Sequence, residues 1–251
     1  MDNEIARKIL KEYIEKYDMS NPRIALKASH IYRVADVAKK IVTELDLTEE
    51  QIWLAELIGL LHDIGRFEQL RIYDTFNDRE SINHATLGIQ ILEKDNLLSQ
   101  FCPNEKYHNI IIRAIENHNK FRIDEGLEGE ELLQSKIIRD SDKVDILNLL
   151  RFETFDTIYK KSEIIDEPIS KVVIDAFLEG KQVDRALQVT CMDDWIGSIG
   201  LIFDINFIPS LKIIRDNNYI NELIDKTPTQ EMEIIREYAN KYIGEGIKNG
   251  R

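Results

Sequence analysis

Five histidines occur in this chain, and four of them sit among apolar residues at helical spacing. His30 shares a stripe with Val34, Val37 and Ile41, and His62 with Ile52, Ala55 and Gly59. His84 lines up with Leu87, Gly88 and Ile91, and His118 with Ile111, Ala114 and Ile115. Asp63 follows His62 directly, and Asp142 is spaced by three and four from Asp145, Ile138 and Ile146. Residues three or four apart share a helix face, so polar groups from five helices aim at one interior. An interior carboxylate without a partner is costly. A bound divalent metal removes that cost, because its charge compensates Asp63 and Asp142. Neutral imidazoles and carboxylates are the ligand types for Mn, Fe, Co, Ni or Zn, and helix bundles build such sites from facing interior side chains.

The elements that must position these groups are helices. Clean alternation with period two is nearly absent while helical periodicity dominates, so the fold class is all-α. Residues 3–17 form a first amphipathic helix; Asn21-Pro22 then caps and opens a second that runs to about Leu45. Thr48-Glu49-Glu50-Gln51 is a capping box for a third, which runs to Gly65 and has almost no polar side. Residues 66–82, mixed and charged, read as a loop beside whatever that central helix presents. Further helices are expected near 83–95, 105–119, 129–150, 170–179, 183–216 with a break, and 228–243, the last opened by Thr227-Pro228-Thr229-Gln230. No linker tract, repeat or low-complexity run divides them, so residues 1–251 read as a single all-α domain.

Composition narrows the function classes. The chain has 251 residues, 43% hydrophobic and 31% charged, with few Gly and Pro, which excludes disordered and collagenous classes. A net charge of −13 argues against a nucleic-acid polymer as partner, since phosphate-backbone binding draws on clustered Lys and Arg. It leaves room for a small phosphorylated substrate held by a metal and one or two local cations. Cys102 and Cys191 make no disulfide framework and fit a reducing cytoplasm. The start, MDNEIARKILKEY, lacks the apolar stretch of a signal peptide. The apolar window Trp195–Ile214 is broken by Asp204, Asn206 and Lys212, so it reads as a core or partner-facing helix and no membrane contact is expected.

The order His, His-Asp, Asp, carried by H-x-x-R-V-A-x-x-A, L-L-H-D-I-G-R and D-S-D-K-V-D, resembles the HD-domain superfamily of metal-dependent phosphohydrolases. The resemblance covers about residues 26–150, and residues 151–251 stand as a C-terminal helical extension. It implies an all-α bundle in which His30, His62, Asp63 and Asp142 bind a first metal. His84 and His118 extend the match to members that bind a second metal, which Asp63, His84 and His118 would hold with Asp63 bridging the two ions. The branch that cleaves cyclic dinucleotides is similar in order but carries paired histidines where this chain has His118-Asn119, and the GYP segment is missing.

The resemblance implies hydrolysis of a small phosphorylated compound, such as a nucleotide, by metal-activated water, with one or two ions. Asp63, Arg66 and Lys143 are the candidate catalytic residues: Arg66 to neutralise a substrate phosphate, Lys143 to do the same or to hold Asp142. Two alternatives use the same residues. The superfamily also contains diiron oxygenases with the ligand order His30, His62-Asp63, His84, His118, Asp142, and it offers the fold as a non-catalytic ligand-binding module. His108, ten residues before His118 and rotated from it by about 80° around a helix, reads as a surface or supporting residue. The sequence leaves oligomeric state open.

Overall fold

A computed structural model describes residues 3–250, the side chain of Asp95 excepted. It is 71% helical with no strand among the described residues, which settles the fold class as all-α. The chain separates into two compact units, Met1–Asp142 and Lys143–Arg251.

The first unit is built from α1 (Glu4–Ile14), α2 (Pro22–Glu44), α3 (Glu49–Leu61), α4 (Gly65–Tyr73), α5 (His84–Glu93), α6 (Leu97–Phe101) and α7 (His108–His118), together with the first part of α8 (Gly129–Phe152). Local chemistry sets the starts of α2 and α3. Asn21 accepts from the Arg23 N–H with Pro22 in the first turn of α2, and Thr48 and Gln51 form the reciprocal capping box of α3. The core gathers Leu10, Ile31, Val34, Leu57, Leu60, Leu61, Ile64, Phe67, Ile111 and Ile115, all fully buried. At Gly59 a Cβ would stand 2.6 Å from the Ala35 Cα, so α2 and α3 approach as closely as they do because neither a side chain nor a spacer intervenes.

The central apolar stretch differs from its sequence reading in one instructive way. The helix does not run to Gly65; α3 ends at Leu61, residues 62–64 make a turn, and α4 resumes at Gly65 through a segment expected to be loop. Phe67 and Leu70 supply α4 with a buried apolar pair, which the charged residues around them mask. Gly65 lies so close to α5 that a Cβ would come within 2.3 Å of the His84 carbonyl oxygen.

The second unit continues from α8 through α9 (Phe155–Tyr159), α10 (Lys171–Leu178), α11 (Cys191–Ile199), α12 (Ile208–Asp216), α13 (Tyr219–Ile224) and α14 (Gln230–Asn249). Its core holds Trp195, Phe177, Ile199, Ile214 and Leu223. Lys226 donates to the Leu150 and Glu153 carbonyls at 2.8 and 2.6 Å and so satisfies the C-terminal end of α8. The last helix starts at Gln230 with Thr229 as its cap, two residues later than the Thr227-Pro228 reading. No helix among the described residues is long and apolar enough to cross a membrane.

Candidate metal centre

Five elements of the first unit bring the polar groups together. His30 stands mid-way along α2 and His62 caps α3. Asp63 lies in the turn that follows, His84 is the first residue of α5, His118 the last of α7, and Asp142 lies on α8. All but Asp142 are buried, and Asp142 keeps 14% of its side chain exposed.

Two groups form around Asp63: His30, His62 and Asp63, and Asp63, His84 and His118. In each, the candidate ligand atoms lie within 4.8 Å of one another. The Asp63 carboxylate divides between them. Its Oδ2 is 3.6 Å from His30 Nε2 and 3.7 Å from His62 Nε2, while its Oδ1 is 3.2 Å from His84 Nε2 and 3.8 Å from His118 Nε2. Asp142 Oδ1 adds to the first group, 3.1 Å from His30 Nε2 and 3.7 Å from His62 Nε2.

The proton positions on three of the imidazoles follow from their outer partners. His62 Nδ1 lies 2.8 Å from the Gly59 carbonyl and His118 Nδ1 2.6 Å from the Ile115 carbonyl. A carbonyl only accepts, so each Nδ1 donates and each Nε2 turns a lone pair inward. His84 Nδ1 donates in the same way to the Asp78 carboxylate at 2.6 Å. His84 Nε2 and His118 Nε2 then face each other at 2.9 Å as two lone pairs, an arrangement that repels unless a cation sits against both. Among the described residues, His62 Nε2 is buried with no hydrogen-bond partner. Inward lone pairs, an outer acceptor fixing each tautomer and a central carboxylate are the donor set a divalent metal requires, so the residues fit the ion.

The charge states agree. Burial pushes His62 below the ordinary imidazole range, and burial brings His84 down to about 4 although Asp78 and Asp63 oppose it. Burial alone would raise the Asp63 carboxyl, but Lys27, His62, His118 and Arg66 outweigh it and hold it well below the usual carboxylate range. For Asp142 burial is likewise outweighed by His30 and His62. At neutral pH the centre therefore offers neutral imidazoles at His62 and His84 and ionised carboxylates at Asp63 and Asp142.

The two cations singled out in sequence are both engaged. Arg66 Nη1 donates to Gln69 Oε1, the Phe76 carbonyl and Asp78 Oδ1 at 2.7 to 2.9 Å, and its Nε is 3.5 Å from Asp63 Oδ1. Lys143 Nζ pairs with Asp204 Oδ2 at 2.8 Å within the second unit. His108 Nε2 rests on the Cys102 carbonyl at 2.7 Å, a supporting contact.

Three residues at the centre escape the sequence reading. Lys27 Nζ is 2.7 Å from Asp63 Oδ2; its position three residues before His30 was the available signal. Asp78 joins His84, Arg66 and Gln69, and it lies in an irregular segment whose partners no periodicity announces. Arg139, 1% exposed and one turn before Asp142, donates to the Asn117, Lys120 and Phe121 carbonyls and closes the end of α7 behind His118.

Compared with known protein families, residues 28–147 match the HD domain, a span that contains all six candidate ligands. Residues 28–147 therefore carry an HD domain, and the buried His/Asp cluster is consistent with the metal site of such a domain. No curated protein and no solved structure gives a significant match.

Proposed function

We propose that this protein is a metal-dependent phosphohydrolase acting on a small phosphorylated compound, such as a nucleotide. The observation that carries the reading is the division of Asp63, whose two oxygens face separate histidine groups. Such a carboxylate can bridge two ions, with His30, His62 and Asp142 completing one set of ligands and His84 and His118 the other. A divalent pair supplies Lewis acidity and a water whose pKa falls toward neutrality. The chain's own part is orientation and exclusion. The Gly59 and Ile115 carbonyls and Asp78 fix the ring planes of His62, His118 and His84, and burial keeps bulk water from screening the carboxylates. Free thiols at Cys102 and Cys191 suit a reducing compartment such as the cytoplasm.

Elemental analysis of protein purified anaerobically without chelator, followed by phosphate release from a panel of phosphate esters and anhydrides, tests this. One or two divalent ions per chain and a release that chelator abolishes and added metal restores are expected. A chain that retains no metal, or a loaded chain that releases phosphate from nothing, overturns it. The filled six-residue set also favours a second reading, a diiron oxygenase. Two irons per chain with substrate-dependent oxygen consumption and no phosphate release would establish that reading instead.

A further inference from the structure

A third cation, besides Arg66 and Lys143, touches the shared carboxylate directly. Lys27 stands one helical turn before His30 on α2, so the two side chains share a face. Its ammonium contacts Asp63 Oδ2, the oxygen directed at His30 and His62, and 19% of the side chain remains exposed. Among the described residues Asp63 is the one acceptor for Lys27 Nζ, and an ammonium has three N–H donors, so two remain for a ligand. The Phe76 ring lies 5.7 Å from Lys27 Nζ and also 5.7 Å from the Arg66 guanidinium, forming an aromatic wall beside both. Arg66, by contrast, directs its Nη1 to Gln69 and the 76–78 segment, and Lys143 pairs with Asp204.

Charge gives this placement its meaning. Two divalent ions would outweigh the charges of Asp63 and Asp142, and Lys27 adds a further positive charge at the same carboxylate. With Asp63 shared between Lys27 and the ions, an anion that joins this ammonium would offset positive charge that the two carboxylates leave uncompensated. We propose that Lys27 is a substrate-binding residue whose ammonium receives an anionic oxygen of the substrate's phosphoryl group at the edge of the His30, His62 and Asp63 cluster. The inference rests on the reading above in one respect, that the substrate carries a phosphoryl group.

The test uses the metal-loaded full-length chain with inorganic phosphate as the probe, titrated calorimetrically into the wild type, K27M, K27Q and K27R, with metal content measured on each sample. K27M and K27Q are expected to keep the wild-type metal content and lose phosphate affinity by about tenfold or more, with K27R recovering most of it. For any phosphate ester the wild type hydrolyses, KM should rise in K27M by more than kcat falls. Phosphate affinity within about twofold of wild type in both neutral variants overturns the proposal, as does loss of metal in step with phosphate, which would make Lys27 a prop for Asp63. Absence of phosphate binding by the loaded wild type overturns it too. Phosphate binding that the neutral variants lose, in a wild type that hydrolyses nothing, keeps Lys27 in this role and removes the hydrolase reading; hydrolysis with unchanged KM in K27M does the reverse.

Discussion

The two halves of the candidate metal centre share Asp63, and each has one histidine held by the carbonyl three residues before it, His62 by Gly59 and His118 by Ile115, but they differ in their packing and their carboxylates. His30 and His62 are carried by α2 and α3, whose backbones approach so closely at Gly59 and Ala35 that a methyl group would not fit. That half also has two carboxylates, Asp63 and Asp142. His84 and His118 occupy helix ends, the first residue of α5 and the last of α7. Asp78 orients His84, and Arg139 gathers the carbonyls that follow α7. One carboxylate serves this half directly, and it is the shared one. Close-packed backbone with two ionised carboxylates should hold an ion more firmly than helix ends with one, so the difference predicts an order of occupancy.

Removing the shared element should erase the comparison, and it carries the largest effect. Asp63→Ala is expected to reduce bound metal to none and hydrolysis by on the order of a thousandfold or more. A variant that keeps one ion in either half would show that Asp63 is not common to both. His84→Ala or His118→Ala sharpens the contrast instead. Each should cut two ions to one while the ion at His30, His62, Asp63 and Asp142 stays, as metal analysis under limiting free metal would show. Equal loss from both halves contradicts the division.

The same asymmetry explains how much could be read from sequence. His30 and Asp142 stand on long helices and His62 caps a third, and their apolar partners recur every three or four residues, so type and spacing point inward together. The all-α class follows from the same periodicity. Asp78 carries no such signature: it lies in an irregular stretch, and its tie to His84 is visible only once α4 and α5 meet at Gly65. α4 itself was hidden because Arg66, Glu68, Gln69 and Arg71 surround its two buried apolar residues. Lys27 was legible in principle, three residues from His30, but a lysine on a charged helix reads as solvated until its carboxylate partner is placed.

Asp78 offers a gentler way to probe the weaker half. Asp78→Asn keeps the shape but withdraws the charge that receives the His84 Nδ1 proton, Arg66 and Gln69. Loss of such an outer partner is expected to weaken metal affinity by about 10- to 100-fold. Competitive titration against a chromogenic chelator should place that loss on one ion only. An equal drop for both ions would mean that Asp78 organises the whole centre through Arg66, whose Nε lies 3.5 Å from Asp63.

The smallest effect concerns protons in the metal-free chain. Burial depresses His84 to about 4 from 6.5, so between those values the unfolded chain binds a proton that the folded chain does not. Its contribution is therefore fully present above pH 6.5 and is lost as pH falls toward 4, with a slope approaching about 1.4 kcal/mol per pH unit inside that window. His62 is shifted in the same direction, also by burial, and adds to the loss. His84→Gln cannot bind that proton in either state. Urea unfolding of chelator-treated protein at pH 7 and pH 5 should thus show a smaller acid loss in the variant than in the wild type. Identical losses would mean that His84 is not held neutral by its burial, and the claim that its Nε2 lone pair stands ready for a metal would fail with it.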